Sequence, residues 1–169
     1  FGGGKTHALL AVYHLFSNPE TVARVPLARK YAEKVLKTIK EEGVKPALVV
    51  FDGAEIDPIH LYERYGARSL CEYIFNVLAQ VTGSNTCKSV ASRYADPRTS
   101  PGAEPLREAL VGVEDRGYVP ILMLDELPFL VKRMSERGDE YADTCVAFID
   151  ALARAIDGTR RGVLLVSIP

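Results

Sequence analysis

The sequence predicts an α/β fold, three layers deep, with a parallel sheet in the middle. Three observations carry this. Apolar runs at 47–51, 119–124 and 163–168 are each short, rich in Val, Leu and Ile, and bounded by turn residues. Such runs read as strands covered on both faces, the mark of a parallel sheet. Long stretches with helical spacing separate them, so each pair of strands needs a crossover, and right-handed crossovers put helices on both faces. Asp125-Glu126 ends the second run and Ser167 lies near the end of the third, which puts polar groups on one edge of the sheet.

Taken in order, the first helix covers 7–16, with no breaker before Ser17, and Asn18-Pro19-Glu20 is a turn. A second helix covers 27–42, with Leu27, Tyr31, Val35 and Ile39 four apart on one face and Lys and Glu on the other. Gly43 suits its C-terminal cap, and Pro46 prevents continuation. The strand at 47–51 is followed by Asp52 and Glu55 at the edge where parallel sheets bind ligands. Either could sense a ligand there; the competing reading is an ordinary turn carboxylate.

A helix over 68–81 buries Leu70, Cys71, Ile74, Val77 and Leu78. Thr82-Gly83 breaks it, and Ser84 caps a further helix that runs to Tyr94. After a loop at 96–102, Pro105 fits the first turn of a helix ending near Val113. Arg116-Gly117 turns the chain into the second strand. Pro128 fits the first turn of a helix over 127–137, and Gly138 ends it. The helix over 139–157 points Val146, Ile149, Leu152, Ala153 and Ile156 inward.

The chain has 169 residues, the length of one domain, with a formal net charge of −1. That balance gives no bulk electrostatic argument for nucleic acid or membrane. Cys71, Cys87 and Cys145 have no metal-type spacing and read as reduced thiols, and His7, His14 and His60 form no metal cluster. No signal peptide or membrane span is visible, so a cytoplasmic location is expected.

Two motifs carry chemistry. Phe1-Gly2-Gly3-Gly4-Lys5-Thr6-His7 reads as the second half of a phosphate-binding loop, the Gly-x4-Gly-Lys-Ser/Thr pattern of P-loop NTPases. Glycines let backbone N–H groups turn onto phosphate oxygens. Gly2, Gly3, Gly4, Lys5, Thr6 and His7 form the expected cradle at a helix N-terminus. Lys5 reaches the β- and γ-phosphates, and Thr6 ligates Mg²⁺. The hydrophobic strand ending in Asp125-Glu126 reads as a Walker B motif. Asp125 is the second metal residue and Glu126 the base that activates water. Ser167 is a candidate γ-phosphate sensor, though a strand-end serine is also common for bland reasons. The segment reads as a single ATPase domain that begins inside the loop and ends at the sensor strand. The strand that feeds the loop falls ahead of Phe1. The Ser167 strand is expected beside the Walker B strand; a second arrangement places the feeding strand between those two. The segment by itself is expected to be a poor ATPase.

Assembled, these residues resemble an AAA-like ATPase with an additional strand and a catalytic glutamate. More narrowly, the chain is similar to a prokaryotic family of unknown function whose genes lie beside DNA methyltransferases in phage-defence islands. The similarity rests on the block from Phe1 to Leu15, on Arg98-Thr99-Ser100-Pro101-Gly102 with Pro105 to Leu110, on Leu124-Asp125-Glu126-Leu127, and on Val163 to Pro169. One departure is Leu70-Cys71-Glu72-Tyr73, where the family tends toward Leu-Trp-Gly-Glu. The resemblance implies ATP rather than GTP, with Mg²⁺, in the core of a larger cytoplasmic protein that acts against foreign DNA. Nucleic acid or a defence partner would engage regions outside this segment, and a homo-oligomer is possible. Two rivals stand beside the ATPase reading. One is a nucleotide-gated scaffold that barely hydrolyses. The other is a P-loop kinase, which needs an arginine-rich lid; Arg154, Arg160 and Arg161 read better as helix-end charges.

Overall fold

The computed structural model describes residues 4–167. The first helix, α1, runs Lys5–Ser17 and stops at Asn18, whose N–H bonds the His14 carbonyl. The turn expected at 18–20 is instead one helical turn, α2, Pro19–Val22. Pro19 explains it, because a fixed φ suits the first helical position. Helix α3, Arg29–Glu42, ends on Gly43 at φ 65°, and the Gly43 N–H bonds the Ile39 carbonyl at 3.0 Å, as the cap predicts. Its expected apolar face is mostly outside. Leu27 precedes the helix and is 93% exposed, and only Ala32 is buried.

Strand β1 is Lys45–Asp52, followed by helix α4, Pro58–Tyr65, which the sequence reading does not contain. Its signals are local: Asp57 caps the Ile59 and His60 N–H groups, Pro58 opens the first turn, and Gly66 closes it at φ 65°. Helix α5 is Leu70–Thr82, capped by Ser69, and α6 is Asn85–Arg93, capped by Ser84. Helix α7 is Ala103–Asp115, with Pro105 in its first turn. Then come β2 (Tyr118–Asp125), α8 (Leu127–Ser135), α9 (Asp139–Asp157) and β3 (Val163–Val166).

The architecture is α/β: helices around a three-stranded parallel sheet of order β1-β2-β3. Register pairs Val49 with Leu122, Asp52 with Asp125, and Leu124 with Val166. Strand β2, which ends in Asp125, and the Ser167 strand are therefore direct hydrogen-bonded neighbours, as the first arrangement expects. The second arrangement, with the feeding strand between them, is corrected: that interval holds only the β2–β3 ladder.

Side chains alternate across the pleat, so one face carries Val49, Phe51, Leu122 and Leu124. All four are fully buried, in one cluster with residues of α5, α7 and α9. The opposite face meets α1 and α3, which line a groove with Pro46, Val119, Ile121 and Val163. Coverage there is uneven: Ile121 and Met123 of β2 are buried, while the outer strands are less so. Val50 is 43% exposed, so β1 is not buried on both faces as expected. Strand β3 is also not the buried strand expected: Val163 is 37% exposed and Val166 40%. Among the described residues β3 pairs on one side only.

Helix α9 turns the expected face inward in part: Leu152 is buried, and Ile149 and Ile156 pack against the core. Cys145, Phe148, Ala151, Leu152 and Ala155 are buried, while Val146 and Ala153 are exposed. The face has moved by about one residue. Phe148 goes to the core, and small Ala151 and Ala155 admit close approach of α7 and α8.

Candidate functional site

The C-terminal edge of the sheet gathers the predicted residues. Asp125 is the last residue of β2, the central strand, and only 6% exposed. Thr6 lies in the first turn of α1. The Thr6 hydroxyl donates to Asp125 Oδ2 at 2.9 Å, across 119 positions of sequence. This joins the two motifs in one place. Asp125 Oδ1 accepts from the Glu126 N–H at 3.0 Å, so both its oxygens are oriented.

Lys5 is the first residue of α1 and half-buried, and His7 is exposed. Gly4 holds right-handed helical angles, and a Cβ built on it meets no atom within 4 Å. The described residues make no demand for glycine there. Gly2 and Gly3 lie outside the described residues.

Glu126 is the N-cap of α8 and stands at φ 50°, ψ 38°. It is the one non-glycine residue with positive φ among those described. A left-handed glutamate stores backbone strain and persists only where its surroundings hold it. Its Oε2 is buried and has no hydrogen-bond partner. Ser167 just follows β3 and is 6% exposed. Its N–H bonds the Leu124 carbonyl at 2.9 Å, while its Oγ is buried and unpartnered. Buried polar atoms are seldom left unsatisfied, and here two belong to residues just past the C-terminal ends of β2 and β3.

Asp52, opposite Asp125 in the ladder, turns out to hold its own turn. Its Oδ1 accepts from the Ala54 N–H at 2.8 Å and the Glu55 N–H at 3.4 Å. The plain turn-carboxylate reading describes it. Glu55 is exposed.

Sequence reasoning missed two residues beside Glu126. Gly53 donates its N–H to the Asp125 carbonyl at 2.9 Å. Arg133 of α8 donates to the Gly53 carbonyl at 2.7 Å and to the Ala54 carbonyl at 2.8 Å. Gly53 could have been flagged as a glycine directly after a strand-end carboxylate. For Arg133, an arginine on a polar helical face, no sequence signal existed.

The remaining candidates are structural. Cys71, Cys87 and Cys145 are all buried and free. Burial raises each thiol above its ordinary value, Cys145 to about 11. Arg160 is paired with Glu114 and Asp115, Arg161 with Glu42, and Arg154 with Asp150. They behave as the helix-end charges expected. Among the described residues no helix is long and apolar enough to cross a membrane, and no three His, Cys, Asp or Glu side chains cluster to hold a metal by themselves.

Neither a curated protein nor a solved structure matches the chain. A family model described as the DUF499 N-terminal domain matches residues 1–169, the whole chain, and the chain belongs to that family.

Proposed function

We propose that this chain is the core of a P-loop ATPase of the AAA-like kind, binding ATP with Mg²⁺ and hydrolysing it. One observation carries the reading: the Thr6 hydroxyl bonded to Asp125 Oδ2 at 2.9 Å. Two motifs read independently meet where a shared metal requires them.

The donor set fits Mg²⁺. Thr6 and Asp125 offer hard oxygen ligands, and Mg²⁺ keeps several waters and takes its remaining ligands from substrate phosphates, so no protein cage is needed. Bound there, it would neutralise charge on the phosphate oxygens. Lys5 adds a second positive charge, and the positive end of the α1 dipole favours the phosphates there. Water attacks the γ-phosphorus, the bond to the β-phosphate oxygen breaks, and ADP and phosphate leave. Glu126 accepts the proton of the attacking water at its carboxylate. Its buried, unpartnered Oε2 supports that role, since a base already bonded to protein would be a weaker acceptor. The Ser167 Oγ, equally unpartnered, supports a contact to the departing phosphate. We assign the whole protein a role in defence against foreign DNA, with its nucleic-acid or protein partner engaged outside this segment.

The test uses the full-length protein. Glu126→Gln keeps shape but removes the base, so turnover should fall on the order of a hundredfold with ATP affinity nearly intact. Asp125→Asn should weaken both. A Glu126→Gln protein that hydrolyses ATP at the parent rate would sink the catalytic role.

A further inference from the structure

The backbone at Glu126 is strained, and the question is what holds it there. Three contacts converge on it. Gly53, just past the end of β1, lies so close that a Cβ on it would sit 2.5 Å from the Glu126 carbonyl oxygen and 3.1 Å from its carbon. Real Cβ atoms do not tolerate 2.5 Å from a backbone oxygen, so only glycine permits this approach. The Gly53 N–H then bonds the Asp125 carbonyl at 2.9 Å, one peptide before Glu126. The third contact comes from α8. Arg133 uses two nitrogens of its guanidinium to grip the Gly53 and Ala54 carbonyls, at 2.7 and 2.8 Å. Asp52 stiffens the same turn by accepting from the Ala54 N–H. Helix α8 begins directly after Glu126, so Arg133 ties the far end of that helix back to the turn that abuts its start.

We infer that Gly53 and Arg133 are positioning residues for Glu126: the turn after β1, latched by Arg133, braces the left-handed peptide that aims the Glu126 carboxylate. This rests on the ATPase reading only for its catalytic consequence; the brace itself is a statement about the backbone. A guanidinium fork suits two adjacent carbonyls, whereas an ammonium is a single point charge. Misaiming a catalytic group by about 1 Å can lower turnover by up to a hundredfold.

The experiment has two arms, both on the full-length protein. In the first, amide hydrogen exchange is followed without nucleotide in the parent and in Arg133→Gln. Protection should fall at the Gly53 N–H, which bonds Asp125, and at the Phe129 N–H, which bonds the Glu126 carbonyl. It should hold at the buried amides of α5. Unchanged protection at Gly53 and Phe129 overturns the brace, whatever the protein does to ATP. In the second arm, Gly53→Ala and Arg133→Gln should lower kcat about tenfold or more while ATP affinity by calorimetry is kept, with Arg133→Lys between parent and Arg133→Gln. Combined with Glu126→Gln, neither should slow turnover further, because all three act on one carboxylate. Full additivity in that background, or a loss confined to KM, overturns the positioning role. A parent protein that does not hydrolyse ATP defeats the ATPase reading and leaves the exchange arm to judge the brace.

Discussion

The two faces of the sheet are built to different standards. On one, Val49, Phe51, Leu122 and Leu124 are sealed among residues of α5, α7 and α9. On the other, α1 contributes no buried residue and α3 only Ala32. That layer nevertheless carries half of the proposed site, since Thr6 belongs to α1 and reaches Asp125. A well-packed layer resists rearrangement. A helix held by few buried side chains opens and shifts more easily, and sites that admit and release a ligand are drawn from such regions.

Core truncation gives the largest contrast. Leu122→Ala or Leu124→Ala should destabilise by about 2–5 kcal/mol, the usual range for a filled apolar site. Val50→Ala, on the other face of the same sheet, should change stability by under about 1 kcal/mol, because its side chain is already half in water. Denaturant unfolding of the variants checks this, and equal losses on both faces would break the comparison.

Next in size is a change that should separate binding from folding. Thr6→Val removes the hydroxyl that meets Asp125. Stability should fall by about 1 kcal/mol, because a buried Asp125 oxygen loses its partner. Mg²⁺-dependent nucleotide affinity should drop about tenfold, roughly 1.4 kcal/mol. A calorimetric titration beside a melting curve measures both; a large fall in melting temperature would mean that α1 is structural.

A pH effect sharpens the picture of the packed layer. Cys145 is raised by burial from an ordinary 9.0 to about 11. A thiol favoured in its neutral form by folding contributes stability that is fully present below pH 9.0 and is lost as pH rises toward 11. Melting temperature should therefore decline through that window, and a Cys145→Ala variant should decline less. Thiol alkylation at neutral pH should be slow until the chain is unfolded.

Much of this was readable in advance where local chemistry decides. Gly43, Ser84 and Pro105 announce a cap, a cap and a first turn, and each sits where its own physics requires. The positions of Thr6 at the start of α1 and of Asp125, Glu126 and Ser167 at strand ends were legible because the two motifs and the apolar runs are local patterns. What failed depends on partners. The spacing of Leu27, Tyr31, Val35 and Ile39 is right for an amphipathic helix, but periodicity cannot say how much of a face is covered. On α9 both Val146 and Cys145 fit a helical period, and only the neighbours α7 and α8 choose Cys145. Neighbour order in a parallel sheet is equally silent in sequence, since crossovers leave it open. The latch from Arg133 joins positions 80 residues apart, and nothing local marks it.

The left-handed backbone at Glu126 has a consequence for anyone who would engineer this domain. On the proposed ATPase reading, the residue that suits the torsion angles and the residue that suits hydrolysis are different. Glycine adopts φ 50° without the steric penalty, about 1 kcal/mol or more, that a glutamate carries there. Glu126→Gly should hold or raise the melting temperature while removing the base. A library ranked by heat resistance alone would enrich that substitution and collect well-folded, silent proteins. Selection at this position has to read out phosphate release.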